Sequence, residues 1–223
     1  MVICLVTDRR RLGAAIGLAP AGWLDALEAQ VLAAADAAID HVQIREPDLE
    51  TRQLTAFVRS LASRLRGHQT KILVNDRLDV ALAAGAGGVH LKETSIAPEL
   101  ARHLTPPDFL VACAVHTPLT ATARHSADFL IAGTVLPTVS KSATDYLQWK
   151  GLEKVIGAAH GTPVLGIGGL DLASIPSLAA AGAAGLAAIG AFIPPAGHSD
   201  VSEFVKKRVI DMRFAFDSAQ SDP

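Results

Sequence analysis

The feature that most constrains this chain is an alternation repeated eight times. Short apolar runs rich in Val, Ile and Leu are separated by Ala-, Leu- and Arg-rich stretches with helical spacing. The runs cover 3–7, 41–46, 71–76, 88–91, 109–116, 129–135, 163–168 and 185–192. Helices are expected at about 23–38, 49–65, 80–84, 98–104, 119–125, 151–160, 172–181 and 201–216, with a Gly/Pro-rich loop after the first run. In the second helical stretch, for example, Leu54, Phe57, Val58 and Leu61 recur on one stripe. Alternation of this kind is the signature of parallel β/α units. Eight in a row fit an α/β chain closed as a single (β/α)8 (TIM) barrel. The rival is an open doubly wound sheet, which carries a glycine-rich turn after its first strand. Here Thr7-Asp8-Arg9-Arg10 follows that strand, with no G-x-G-x-x-G. The length of 223 residues suits one domain, expected over 1–217, with 218–223 as a frayed tail.

Composition narrows the partners. Half of the residues are hydrophobic and 19% are charged, enough apolar surface to bury a large core. A net charge of −2 gives no bulk attraction to nucleic acid or to an anionic membrane, although a local basic pocket stays open. The stretch 172–197 has no charged residue, but it is dominated by Ala and Gly and interrupted by Pro176, Pro194 and Pro195. A membrane span needs about 20 strongly apolar residues, so this stretch reads as a helix, a turn and a buried strand. Cys4 and Cys113 sit in apolar runs and read as buried thiols in a reducing, cytoplasmic setting. The charges near the N-terminus follow the first apolar run rather than precede it, so no secretory leader is expected.

Barrel strands are buried on both faces, so a polar residue on one needs a reason. At the C-terminal end of a strand the default reason is an active site. Gln43 and Arg45 share one face of the second strand, opposite Val42 and Ile44. If the apolar pair packs under helices, the polar pair points into the barrel. Arg45 then either binds an anion or forms an internal ion pair with Glu46. Asn75 and Asp76 end the third strand; Asp76 either ligates Mg²⁺ or caps the next helix. His90 lies inside the fourth strand and reads as a hydrogen-bonded core residue. His116 ends the fifth, where it can shuttle a proton. The long loop after the sixth strand concentrates Thr138, Ser140 and Lys141, donors suited to phosphate or diphosphate. Gly168 ends the seventh strand with Gly169 next to it, and Ile189 and Gly190 stand in the eighth. Loops after strands seven and eight frequently form a phosphate site in barrels.

These residues, in order and spacing, resemble the thiamine phosphate synthase/TenI family. The landmarks are Val42-Gln43-Ile44-Arg45-Glu46, Val74-Asn75-Asp76-Arg77, Gly88-Val89-His90-Leu91, Val115-His116-Thr117, Pro137-Thr138-Val139-Ser140-Lys141 and Ile167-Gly168-Gly169. The resemblance implies a barrel that joins an aminopyrimidine diphosphate to a thiazole phosphate, with Mg²⁺ and release of diphosphate. It implies Gln43 on the pyrimidine and Arg45, Asn75 and Lys141 on the diphosphate. Asp76 would lie on Mg²⁺, with Thr138, Gly168 and the 189–191 backbone on the thiazole phosphate. A homodimer is implied by the resemblance alone.

The chain departs from the synthase pattern at specific positions. Pro47 stands where a lysine is usual, Ser95 where a second Mg²⁺ aspartate is usual, and Ala114 where a serine is expected. Gln148-Trp149-Lys150-Gly151 replaces the usual proline-glycine. These changes weaken the metal and diphosphate half more than the thiazole-phosphate half. They favour a TenI-like thiazole tautomerase with His116 as general acid/base. The alternatives are a divergent Mg²⁺-dependent synthase and a non-catalytic binder of thiamine phosphate.

Overall fold

In a computed structural model, which describes residues 1–138, 146–198 and 200–221, eight parallel strands close on themselves in sequence order. The strands are β1 (Val2–Val6), β2 (His41–Ile44), β3 (Lys71–Asn75), β4 (Gly88–Leu91), β5 (Leu110–Val115), β6 (Phe129–Gly133), β7 (Val164–Ile167) and β8 (Gly185–Ala188). The closing pair, β8 on β1, runs in the register Cys4↔Ala187. The helices are α1 (Arg9–Ala15), α2 (Trp23–Asp36), α3 (Thr51–Arg64), α4 (Leu78–Ala84), α5 (Pro98–His103), α6 (Pro118–Ala123), α7 (Gln148–Gly157), α8 (Ile175–Ala180) and α9 (Val201–Ser221).

The alternation of side chains along each strand divides the core in two. Val42, Ile44, Val74 and Val89 face outward and pack with helix residues such as Leu54, Val58 and Leu61. Cys4, Val6, Leu73, Ala112, Phe129, Ile131, Leu165 and Ala187 form a separate cluster inside the barrel. His41 stacks on Phe129 at 5.0 Å between ring centroids and belongs to this inner layer. Burying each large aliphatic side chain contributes about 1.5–3 kcal/mol, and the two layers together fix which face of every strand looks inward.

Several boundaries differ from the sequence expectation. The segment after β1 is not a plain loop. Asp8 caps a short helix by accepting the Arg11 N–H at 3.0 Å, and Pro20–Gly22 forms a 3₁₀ turn. The expected helix at 172–181 splits into a 3₁₀ turn (Leu172–Ser174) and α8, with Pro176 in the first turn of α8 where its missing N–H costs nothing. The last strand stops at Ala188, and Gly190–Phe192 turns away as 3₁₀, with the Phe192 carbonyl accepting from Gln30 Nε2 at 2.8 Å. Helix α9 continues to Ser221, past the expected end near Phe216. Its Val205, Val209, Met212 and Phe216 are buried, and Arg213 reaches back to the Met1 and Ala38 carbonyls and to Asp40.

Candidate active site

The C-terminal ends of the strands surround a chamber of ≈ 1360 Å³. Single-ligand pockets usually run to about 300–1,000 Å³, so there is room for two small substrates side by side. Of the sequence-predicted site residues, Gln43, Arg45, Asn75, His116, Thr138, Gly168, Gly169, Ile189 and Gly190 all line it. Ser140 and Lys141 lie outside the described residues. Asp76 does not line the chamber itself but is tied to Lys92, which does.

Gln43 organises the quarter built by β2, β3 and β4. It is buried among the strands, and its Nε2 donates to Asn75 Oδ1 at 2.9 Å and to His90 Nδ1 at 3.1 Å. His90 Nδ1 is then an acceptor, which leaves the ring proton on Nε2. Burial pushes the His90 pKa down to about 4, so the ring is neutral near pH 7. Two buried polar atoms at this wall, Gln43 Oε1 and His90 Nε2, have no partner among the described residues. They offer one acceptor and one donor. His90, expected as a core residue, is therefore part of the site. Its place in the strand does not separate it from an ordinary core histidine; the only sequence signal is the Gly88-Val89-His90-Leu91 landmark, which assigns it no role.

The sequence offers Arg45 two partners, an anion or Glu46. Glu46 turns the other way: it is buried and accepts from Arg9, backbone N–H at 3.1 Å and Nη1 at 2.8 Å. Arg9 also holds Asp48 at 2.7 and 2.5 Å, which keeps the Asp48 carboxyl well below the usual range. The Arg45 guanidinium has no ion-pair partner among the described residues, and its residue lines the chamber.

Asp76 takes a left-handed backbone (φ 61°), a conformation that Asp tolerates better than most residues. It does not cap the next helix; Arg77 is the N-cap of α4, without a side-chain bond. Instead Lys92 Nζ contacts Asp76 Oδ2 at 2.6 Å, and Ser95 Oγ donates to Oδ1. Burial raises the Asp76 pKa, and the bonds from Lys92 and Ser95 more than offset it, so the carboxyl is ionised well below neutral pH. Magnesium favours octahedral oxygen donors, usually one or two carboxylates completed by substrate and water. The protein offers one carboxylate here, already paired with an ammonium. Among the described residues no three His, Cys, Asp or Glu side chains stand together as a metal-holding group. The donor set does not fit the metal that the resemblance implies.

Glu93 does not replace the missing aspartate at position 95 as a partner of Asp76. Its Oε2 lies 2.9 Å from His116 Nδ1. Both groups are partly exposed at the chamber wall. The segment carrying Lys92, Glu93 and Ser95 is braced by Arg124, which donates to the carbonyls of Glu93, Ser95 and Ile96 at 2.7–2.8 Å. The backbone of His116 is held in turn by Thr120 Oγ1 at 3.2 Å, within the capping box that opens α6.

On the opposite wall, Gly168 and Gly169 both have left-handed backbones (φ 101° and 67°). A Cβ on Gly168 would lie 2.4 Å from Thr134 Cγ2, and one on Gly169 would lie 2.5 Å from the Pro137 carbonyl oxygen. Only glycine lets the β6 and β7 loops approach this closely. Those loops are joined by the Leu136 N–H on the Gly168 carbonyl at 3.0 Å. Arg11 and Arg208, from α1 and α9, also line the chamber. Arg11 Nη2 lies 3.6 Å from where a Gly190 Cβ would stand. Neither arginine was singled out from the sequence, because both come from helices rather than from strand ends.

A closed barrel with cationic side chains and a glycine cradle at its C-terminal face presents a chamber whose charge and shape suit small anionic ligands. Its family follows from comparison. The family described as thiamine monophosphate synthase matches residues 17–192. A thiamine-phosphate synthase of Roseiflexus castenholzii is 33% identical over 86% of this chain and 81% of its own length. One of Albidiferax ferrireducens is 35% identical over 72% of this chain and 74% of its own. The solved thiamine phosphate pyrophosphorylase of Pyrococcus furiosus superposes with a TM-score of 0.77 at 25% identity, covering 98% and 96% of the two chains. The chain belongs to the thiamine monophosphate synthase/TenI family.

Proposed function

We propose that this chain is a thiamine-phosphate synthase, joining an aminopyrimidine diphosphate to a thiazole phosphate. The relatives carry the synthase name, which favours this alternative over the tautomerase expected first. The observation that carries it is the pair of orphaned atoms, Gln43 Oε1 and His90 Nε2, in the wall of a chamber with room for a second substrate. An acceptor and a donor on two neighbouring side chains are the complement of an exocyclic amino group and a ring nitrogen, the edge of an aminopyrimidine. Arg45 and Asn75 stand on the same side for the diphosphate; Lys141 joins them by resemblance, and Ser140 belongs to the same hydroxyl-rich loop. Thr138, Gly168, Gly169, Ile189 and Gly190 receive the thiazole phosphate, with Arg11 and Arg208 adding positive charge.

In the reaction the thiazole nitrogen supplies an electron pair to the pyrimidine methylene carbon. The bond from that carbon to the diphosphate oxygen breaks, and diphosphate leaves with its electrons. Fixed cations aimed at the departing oxygen lower the barrier because the negative charge appears there. A bound magnesium ion would supply further charge at the diphosphate, with Asp76 as the residue expected to hold it; the pairing of Asp76 with Lys92 argues against that assignment.

The test is direct. The protein is incubated with both phosphorylated halves, and thiamine phosphate and released diphosphate are measured. Stoichiometric formation of both supports the reading; tight binding of both halves without product at high enzyme concentration supports a non-catalytic binder instead.

A second reading has its own observation. The Glu93–His116 contact of 2.9 Å orients an imidazole as a general acid/base, which suits proton transfer on a thiazole precursor. Solvent proton exchange into a thiazole carboxylate phosphate, abolished in His116→Ala and reduced in Glu93→Gln, would carry that tautomerase reading. Undiminished exchange in His116→Ala would remove it.

A further inference from the structure

The segment after β4 places a positive charge where the family resemblance leads one to expect a metal ion. Lys92 immediately follows the strand, and its ammonium sits 2.6 Å from Asp76 Oδ2. Ser95 Oγ donates to the other oxygen of the same carboxylate and also accepts the Lys92 backbone N–H at 3.1 Å. Three carbonyl bonds from Arg124 brace the same segment. The Lys92 side chain is still 57% exposed, and its residue lines the chamber that Arg45 enters from β2. A divalent cation at Asp76 would have to expel an ammonium from contact, and it would find a hydroxyl where a second carboxylate is needed.

We propose that Lys92 is a built-in substitute for a divalent cation: its ammonium, held in place by Asp76, binds the diphosphate, and diphosphate binding by this chain needs no metal. The proposal rests on the synthase reading for its ligand. Its physical content is a charge balance. Asp76 and Lys92 cancel, so the pair can stay partly buried when no ligand is bound. A diphosphate entering beside them meets the free donors of the ammonium together with Arg45. Asp76 is then a positioning residue for Lys92, not a metal ligand.

The experiment uses the full chain after chelator treatment and two probes that need no turnover. Manganese(II), the paramagnetic stand-in for magnesium, is titrated with free ion followed by electron paramagnetic resonance. Inorganic diphosphate is titrated by calorimetry with chelator present. The expected results are no manganese binding below the millimolar range and measurable diphosphate binding without metal. Lys92→Gln should weaken diphosphate binding by about tenfold or more, the loss expected when one charged hydrogen bond is removed. The double variant Lys92→Gly/Ser95→Asp should gain manganese binding and make diphosphate binding metal-dependent. Micromolar manganese binding by the unmodified chain overturns the proposal. So does diphosphate binding only with metal, or none under either condition, or unchanged affinity in a folded Lys92→Gln. Metal-free diphosphate binding without thiamine phosphate formation would defeat the synthase reading while leaving this inference standing.

Discussion

Replacing His90 by leucine tests the polar wall of the chamber and carries a pH signature. In the native chain the ring is buried and neutral, with a pKa pushed from 6.5 down to about 4. The folded state therefore binds fewer protons than the unfolded state between those two values. Stability is full above pH 6.5 and is lost as pH falls through the folded pKa. A displacement of that size corresponds to about 3 kcal/mol. His90→Leu removes this loss. It also deprives Gln43 Nε2 of one of its two acceptors, leaving a buried N–H unpaired at a cost of about 1–3 kcal/mol. The variant should thus be less stable at pH 7.5, by roughly 2–4 °C in melting temperature for each kcal/mol. The deficit should shrink steadily toward pH 4, where the native chain has lost its own advantage. Urea unfolding of both proteins at several pH values reads the difference, and other titrating groups cancel in it. Binding follows the same logic. Losing the Nε2 donor should weaken aminopyrimidine binding by about 5- to 15-fold and leave thiazole phosphate unaffected. A stability deficit that stays constant from pH 7.5 to 4, or equal losses for both substrates, would refute the reasoning.

Glu46→Ala strips the buried Arg9 of one partner and should cost about 3 kcal/mol in chemical denaturation, with Asp48 retaining part of the hold on α1. Asp48→Asn should destabilise the chain at neutral pH. That difference should fade as pH falls through the depressed pKa of Asp48, because the native carboxylate is itself lost there. Gly169→Ala adds left-handed strain of about 1–2 kcal/mol and a Cβ 2.5 Å from the Pro137 carbonyl oxygen. It should raise the KM for thiazole phosphate with little effect on the aminopyrimidine, as initial-rate kinetics would show.

The barrel was legible because eight runs of Val, Ile and Leu can be buried on both faces only in a parallel sheet wrapped by helices. Strand ends were less so. Apolar residues at 189–193 continue the pattern of β8, yet the chain turns at Gly190 to bury Phe192 and give its carbonyl to Gln30 of α2, a tertiary choice with no local signature. The site was legible where alternation put a polar side chain on an inward face, as with Gln43 and Asn75. It was not legible where partners come from distant loops. Arg9 captures Glu46 across 37 residues of sequence, and His116 meets Glu93 across 23. Nothing in the immediate neighbourhood of either residue announces its partner. Ser95 could be marked as a departure, but what it touches became visible only once the loop after β4 was folded against Asp76.

Lys92 and Ser95 make sense only together. An aspartate at position 95 would set a second carboxylate against Asp76, and two such groups in contact stay ionised only with a cation between them. A serine removes that repulsion and donates a hydrogen bond to the carboxylate. It leaves a single negative charge, which one ammonium balances. Lysine at 92 without the change at 95 would leave the site negative; serine at 95 without the lysine would leave Asp76 partly buried with a hydroxyl as its main partner. The serine that stands where the resemblance expects a carboxylate thus lies three residues from an ammonium that balances the charge left on Asp76. In the proposed arrangement the Lys92 ammonium performs the electrostatic task that the resemblance assigns to a metal ion.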